Sequence, residues 1–169
     1  MIKKNFLSVC FIVIAAASFS QPGHHNISKE DIVGTWSLVL VDNLLPDGTR
    51  VHLYGDEPKG ILIFDSKGNY ALQIMSSDRV RFAGNDKAKG TPEENVSAVK
   101  GTNTHFGRYT LNAEDQSITF HIDHAFFRNW EGTEQKRSFT LVNDVLKYNV
   151  PVPTTGGAAV KGEVEWRKM

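Results

Sequence analysis

Four polar side chains stand where an extended chain can turn them toward an apolar interior: Tyr109, His121, Gln135 and Arg137. In a β-strand alternate residues share a face. Over 134–142, Gln135 and Arg137 share parity with Phe139 and Leu141, and burial of the two apolar residues carries the polar pair inward. An inward arginine among apolar groups is costly unless it is paired or lies in a solvated cavity. Over 104–112, His105, Gly107, Tyr109 and Leu111 share one parity, which sends Tyr109 toward the same interior.

Segment 117–124 has two solutions. Ile118, Phe120 and Ile122 form one face; Thr119, His121 and Asp123 form the other. If the apolar face turns inward, His121 and Asp123 stay in solvent. If the polar face turns inward, His121, Asp123 and Arg137 form a cluster. A histidine beside a carboxylate can serve as an acid/base pair near neutral pH, or as a hydrogen-bonding set that orients a ligand.

Asp78, Arg79 and Arg81 follow directly on an extended run and belong at the end of a strand. They form a solvated turn, an internal ion pair that holds the loop, or an arginine fork for a ligand carboxylate. Tyr54 and Gln73 are weaker candidates for the same binding site. In His121-x-Asp123-His124 only two of the three donors point one way, and zinc needs at least three protein ligands. No metal is expected, and no cofactor. The chain has no G-x-S-x-G and no phosphate-binding loop, so acyl and phosphoryl transfer lack support.

The elements that must position these residues are mostly strands. Ile61 to Phe64 and Tyr70 to Met75 are apolar runs around Asp65-Ser66-Lys67-Gly68-Asn69, the pattern of a β-hairpin. A hairpin this apolar needs further strands to bury its face. These are expected at 35–41, 104–112, 117–124, 134–142, 145–150 and 160–167, with Val51 to Gly55 as a short edge segment. Leu45-Pro46-Asp47-Gly48 and Asn143-Asp144 are turns, and 151–158 is a Pro/Thr/Gly loop. Thr91-Pro92-Glu93-Glu94 starts a helix running to about Lys100, with Thr91 and Glu94 as a capping box and Pro92 in the first turn. Ser28 and Asp31 cap a short helical turn. Eight consecutive antiparallel strands around one short helix suggest an all-β, up-and-down barrel, which removes exposed edges by closure.

The 169 residues suit one domain behind a leader. Lys3 and Lys4 precede an apolar stretch from Phe6 to Ala17, too short to span a bilayer, and small residues follow. Residues 1–20 are expected to be a secretory signal peptide, 21–33 a lead-in, and 34–169 the folded domain, exported to the periplasm or the medium. Cys10 is the single cysteine and lies inside the leader, preceded by Val9, which does not fit lipidation. The exported chain then has no disulfide and must be held by its core. Acidic and basic side chains number 19 each, so nothing favours nucleic acid or an anionic membrane surface. No membrane span is expected after cleavage, and the sequence leaves oligomeric state open.

Several co-linear stretches resemble one family. Gly34-Thr35-Trp36 looks like the G-x-W signature of lipocalins. Further matches are Tyr54-Gly55, Pro58-Lys59-Gly60, Gln73-Ile74-Met75, Asp78-Arg79-x-Arg81-Phe82-Ala83, Gly90-Thr91-Pro92-Glu93-Glu94, Phe106-Gly107-x-Tyr109 and Asn129-Trp130-x-Gly132 with Gln135 and Arg137. Together they are similar to the bacterial and fungal lipocalin-like domain proteins over 34–167. Arg128 departs from the proline usual before Asn-Trp. The resemblance implies an eight-stranded lipocalin-like barrel with a central cavity. It also implies that Trp36 plugs the closed end under an arginine near the last strand, for which Arg167 is the candidate. It favours the inward face of Thr119, His121 and Asp123. The leading expectation is therefore an exported barrel binding a small apolar or amphipathic molecule through Tyr54, Gln73, Arg79, Arg81, Tyr109, His121, Gln135 and Arg137. The alternatives are an isomerase or cyclase using His121, Asp123 and Arg137, and a structural envelope protein without ligand.

Overall fold

A computed structural model describes residues 27–151, 153 and 160–169. The leader, the start of the lead-in with His24 and His25, and most of the 151–158 loop lie outside the described residues. The chain runs α1 (Lys29–Ile32), β1 (Gly34–Leu44), β2 (Arg50–His52), β3 (Lys59–Phe64), β4 (Asn69–Met75), α2 (Pro92–Lys100), β5 (Thr102–Asn112), β6 (Ser117–Ala125), a 3-10 turn (Arg128–Trp130), β7 (Glu134–Val142), β8 (Val145–Val150) and β9 (Lys161–Lys168). Each strand from β3 to β9 pairs antiparallel with the next, and β1 pairs with both β3 and β9. The result is a closed eight-stranded antiparallel barrel. The extra strand β2 lies against the end of β1, with Asp42 opposite His52.

Local chemistry sets the turns. Between β3 and β4, the Asp65 carboxylate accepts hydrogen bonds from the Lys67 and Asn69 amides, both at 2.8 Å, and Gly68 takes a φ of 94°. Asn143 and Asp144 both adopt positive φ, the two-residue turn that matches strand twist. Helix α2 starts as its sequence predicts. Thr91 Oγ1 accepts from the Glu94 amide at 3.2 Å, and Glu94 accepts from the Thr91 amide at 2.8 Å, a cap worth about 1 kcal/mol. Glu94 also accepts from the Ala83 amide at 2.7 Å, which ties the 76–90 connection to the helix.

Helix α1 and Trp36 close one end. Trp36 is fully buried and its indole N–H donates to the Ile32 carbonyl at 2.9 Å. The cation over this ring is Lys168, at 5.3 Å from the ring centroid, and not Arg167. Lys168 lies opposite Trp36 in the β1–β9 register, whereas Arg167 lies opposite Ser37 on the outer face. Lys168 also donates to the Asp31 carbonyl at 2.8 Å, so one ammonium joins α1, β1 and β9.

Strand β6 resolves its two solutions in favour of the apolar face. Ile118, Phe120 and Ile122 are buried to 2 % exposure or less, each worth about 1.5–3 kcal/mol of hydrophobic stabilisation. His121 and Asp123 are turned out of the barrel, against the inward expectation. A β-bulge falls where Phe106 pairs with His124 and Gly107 with Ile122, leaving Asp123 as the extra residue. Gly107 permits the close approach: a Cβ there would stand 2.1 Å from the His121 carbonyl oxygen. Gly107→Ala is expected to lower stability by about 1–3 kcal/mol. Gly84→Ala, in open space, should stay within about 0.5 kcal/mol. Urea unfolding midpoints check this, and equal midpoints for the two variants would contradict the close approach.

Candidate functional site

At the end opposite Trp36 the barrel holds a cavity of about 320 Å³. Its apolar wall comes from Val41, Leu72, Ile74, Phe120, Val150 and Val164. Its polar wall comes from Asn43, Asn103, His105, Gln135, Arg137 and Tyr148, with Asp42, Glu134, Lys136 and Glu163 at its border and Tyr54 and Trp130 also lining it. A concave site that sets converging polar groups against an apolar wall suits a small molecule with one polar end.

Parity on β7 places Gln135 and Arg137 here as predicted. The Arg137 guanidinium donates to Gln135 Oε1 at 2.5 Å and to the Lys136 carbonyl at 3.2 Å. Burial lowers its pKa, opposed by the neighbouring hydroxyls of Tyr148 and Tyr70. Beside it, His105 on β5 is buried, and its Nδ1 lies 2.7 Å from the Tyr70 hydroxyl. Burial, with Arg137 nearby, pushes the His105 pKa down from 6.5 to about 4, so the ring is neutral at physiological pH. Burial also raises Tyr70, and raises Tyr148 to about 12, so both phenols keep their protons.

Tyr54 reaches the mouth because β2 is pinned beside it. Asp42 accepts from Arg50 at 3.2 Å and lies 2.7 Å from His52. Arg50 also bridges to Glu163 at 3.1 Å, and Lys147 pairs with Glu163 as well. Just past β2, the Leu53 amide donates to the Val41 carbonyl at 3.1 Å, and burial raises the Tyr54 hydroxyl pKa.

The other expected site residues are not brought together with these. Gln73 faces outward on β4, between the inward Leu72 and Ile74. Tyr109 is inward but belongs to the closed end, where its hydroxyl donates to the Asp65 carbonyl at 2.9 Å and its ring meets Phe64. Arg79 and Arg81 are exposed; Arg79 donates to the Ser76 carbonyl at 3.1 Å and covers Gly101. His121 bonds on the outer wall, 2.9 Å from Glu134 and 3.2 Å from Thr110, and Asp123 is exposed. No group of three or more metal-ligating side chains converges among the described residues. The residues not singled out from sequence are His105, Tyr70 and Tyr148. Strand parity could have found His105, since it shares the face of Tyr109.

The profile of the lipocalin-like domain matches residues 33–169. The chain belongs to the lipocalin-like domain family. Among solved structures it is similar to a lipocalin-like protein from Bacteroides uniformis, at 16% identity and a TM-score of 0.44, over 82% of this chain and 99% of that one. No curated protein matches. For this lipocalin-like barrel the fold suggests small-molecule binding, and no helix among the described residues is long and apolar enough to cross a membrane.

The state of His105 gives a pH signature. The unfolded chain binds a proton near pH 6.5 that the folded chain refuses until about pH 4. Stability from this group is therefore full above about 6.5 and falls as the pH drops to about 4, by up to roughly 3 kcal/mol. Urea unfolding of the wild type at about pH 6.5 and 4.5 should show this loss, and His105→Gln should show a smaller one. Equal losses in the two proteins would contradict a neutral, buried His105.

Proposed function

We propose that this protein is an exported binder of a small, mostly apolar molecule held in the barrel cavity, with residues 1–20 removed as a leader on the way to the periplasm or the medium. The observation that carries the binding reading is the cavity itself: an apolar wall, closed at the Trp36 end, with a few polar groups gathered around Arg137. Gln135 and Arg137 orient the polar end of the ligand, and Tyr54 borders the mouth.

The isomerase or cyclase reading is weaker. Its acid/base pair, His121 and Asp123, stands outside the barrel. The interior histidine has a pKa near 4, well below the range that suits proton transfer at neutral pH.

Native mass spectrometry of the mature protein from its own host tests the binding reading. One small molecule per chain is expected, released on denaturation. Ile74→Trp, which fills the cavity, should abolish co-purification. His121→Ala, on the outer wall, should leave it unchanged. An empty wild-type protein would sink tight carriage and favour the structural envelope role.

A further inference from the structure

Arg137 lines the cavity with its charge uncompensated. It makes no ion pair among the described residues; its two hydrogen bonds go to neutral oxygens, those of Gln135 and the Lys136 carbonyl. The groups that perturb it are the neutral phenols Tyr148 and Tyr70. Three carboxylates border the cavity, and each is engaged elsewhere. Asp42 is held by Arg50 and His52, Glu163 by Arg50 and Lys147, and Glu134 by His121. A guanidinium carries five N–H donors, so most of its fork remains open. Withdrawing a cation from water without a counter-charge is unfavourable, and an arriving anion relieves that cost.

We infer that the cavity takes an amphiphilic monocarboxylate, its carboxylate received by Arg137 and its apolar body lying against Leu72, Ile74, Val41 and Val164. This rests on the binding reading above and names the ligand class. The charge is fixed at one by the surroundings. His105 is neutral and adds no positive charge. Lys136, the other cation on this stretch, is paired with Asp115. A dianionic phosphate would find one cation where it needs two. A neutral alcohol or ketone would leave the guanidinium as it stands. A carboxylate matches the fork with two parallel hydrogen bonds, and the Gln135 oxygen already holds the guanidinium in position. Size follows from the volume. At about 30 Å³ per water-sized group, a cavity of 320 Å³ holds roughly ten such groups, the size of a medium-chain or aryl-alkyl acid.

Calorimetric titration of the mature protein near neutral pH tests this with octanoate and 4-phenylbutyrate, each against the corresponding alcohol. At least one acid is expected to bind about tenfold or more tightly than its alcohol, the range of a charge-assisted hydrogen bond. Arg137→Met should erase that preference, weakening the acid relative to the alcohol. Arg137→Gln serves the same purpose if the methionine variant does not fold. Equal affinity of acid and alcohol in the wild type, or a preference that survives in the variants, overturns the inference but leaves the cavity as a binding site. Binding of none of the four also overturns it. A neutral molecule co-purifying in native mass spectrometry would then keep the broader reading, and an empty protein would end both.

Discussion

The ladder between β1 and β9 is the constraint on which the rest of the molecule depends. It joins the first barrel strand to the last and gives each of the eight strands two hydrogen-bonded neighbours. It also fixes what faces inward. From Trp36 to Leu38 the even-numbered residues of β1 point into the barrel, opposite Lys168 and Trp166. The bulge between Leu38 and Leu40 shifts the count by one, so Val41, opposite Val164, points inward and Asp42, opposite Glu163, does not. Without that extra residue Asp42 would face the cavity, and Arg137 would have a carboxylate on the same inner wall. One bulge thus turns the Asp42 side chain from the inner to the outer face of the wall, where it stays buried at the border of the cavity and is held by Arg50 and His52, and with it β2.

The interior divides along the barrel axis. Toward α1 it is a solid core. Trp36 fills the end, Phe64 packs edge-on to Tyr109 at 4.7 Å between ring centroids, and stacks on Phe120 at 6.0 Å. Toward the 3-10 turn the side chains leave space, and the polar groups collect there. Phe120 belongs to both halves, since it also meets Tyr70 and His105 edge-on. The polar groups are therefore packed on an aromatic floor rather than suspended in a void. This explains why burial dominates their electrostatics: the nearest matter is apolar, and low-polarity surroundings favour the neutral forms of His105, Tyr70 and Tyr148.

Charge is sorted in the same way. The acids beside the barrel wall are engaged away from the cavity, in the group of Asp42, Glu163, Arg50, His52 and Lys147 and in the hydrogen-bonded contact of His121 with Glu134. Arg137 is the cation left without an ion pair on the cavity wall among the described residues. A molecule built only to be stable gains little from such a group, which is why the small-molecule reading of this lipocalin-like barrel centres on it.

Much of this was legible in the chain itself. The β3–β4 hairpin around Asp65 to Asn69, the Asn143-Asp144 turn and the capped start of α2 at Thr91 depend on local chemistry, and local chemistry is written in consecutive residues. The inward set on β7 was legible too, because Phe139 and Leu141 fix its parity without ambiguity. The face of β6 was not: both of its alternating sets were chemically reasonable, and the choice depended on how tightly Ile118, Phe120 and Ile122 fill the barrel. Nor could a sequence show that Tyr109 ends at the closed end and Gln73 on the outer wall. Parity gives a side but not a depth, and no rule of alternation places Tyr70 beside His105 or Lys168 rather than Arg167 over Trp36. Those pairings come from strand register and from two bulges, each a single residue out of step. Register is settled by the whole closed sheet at once, so the sequence alone determined the strands and turns, and only the tertiary structure decided which polar residues meet.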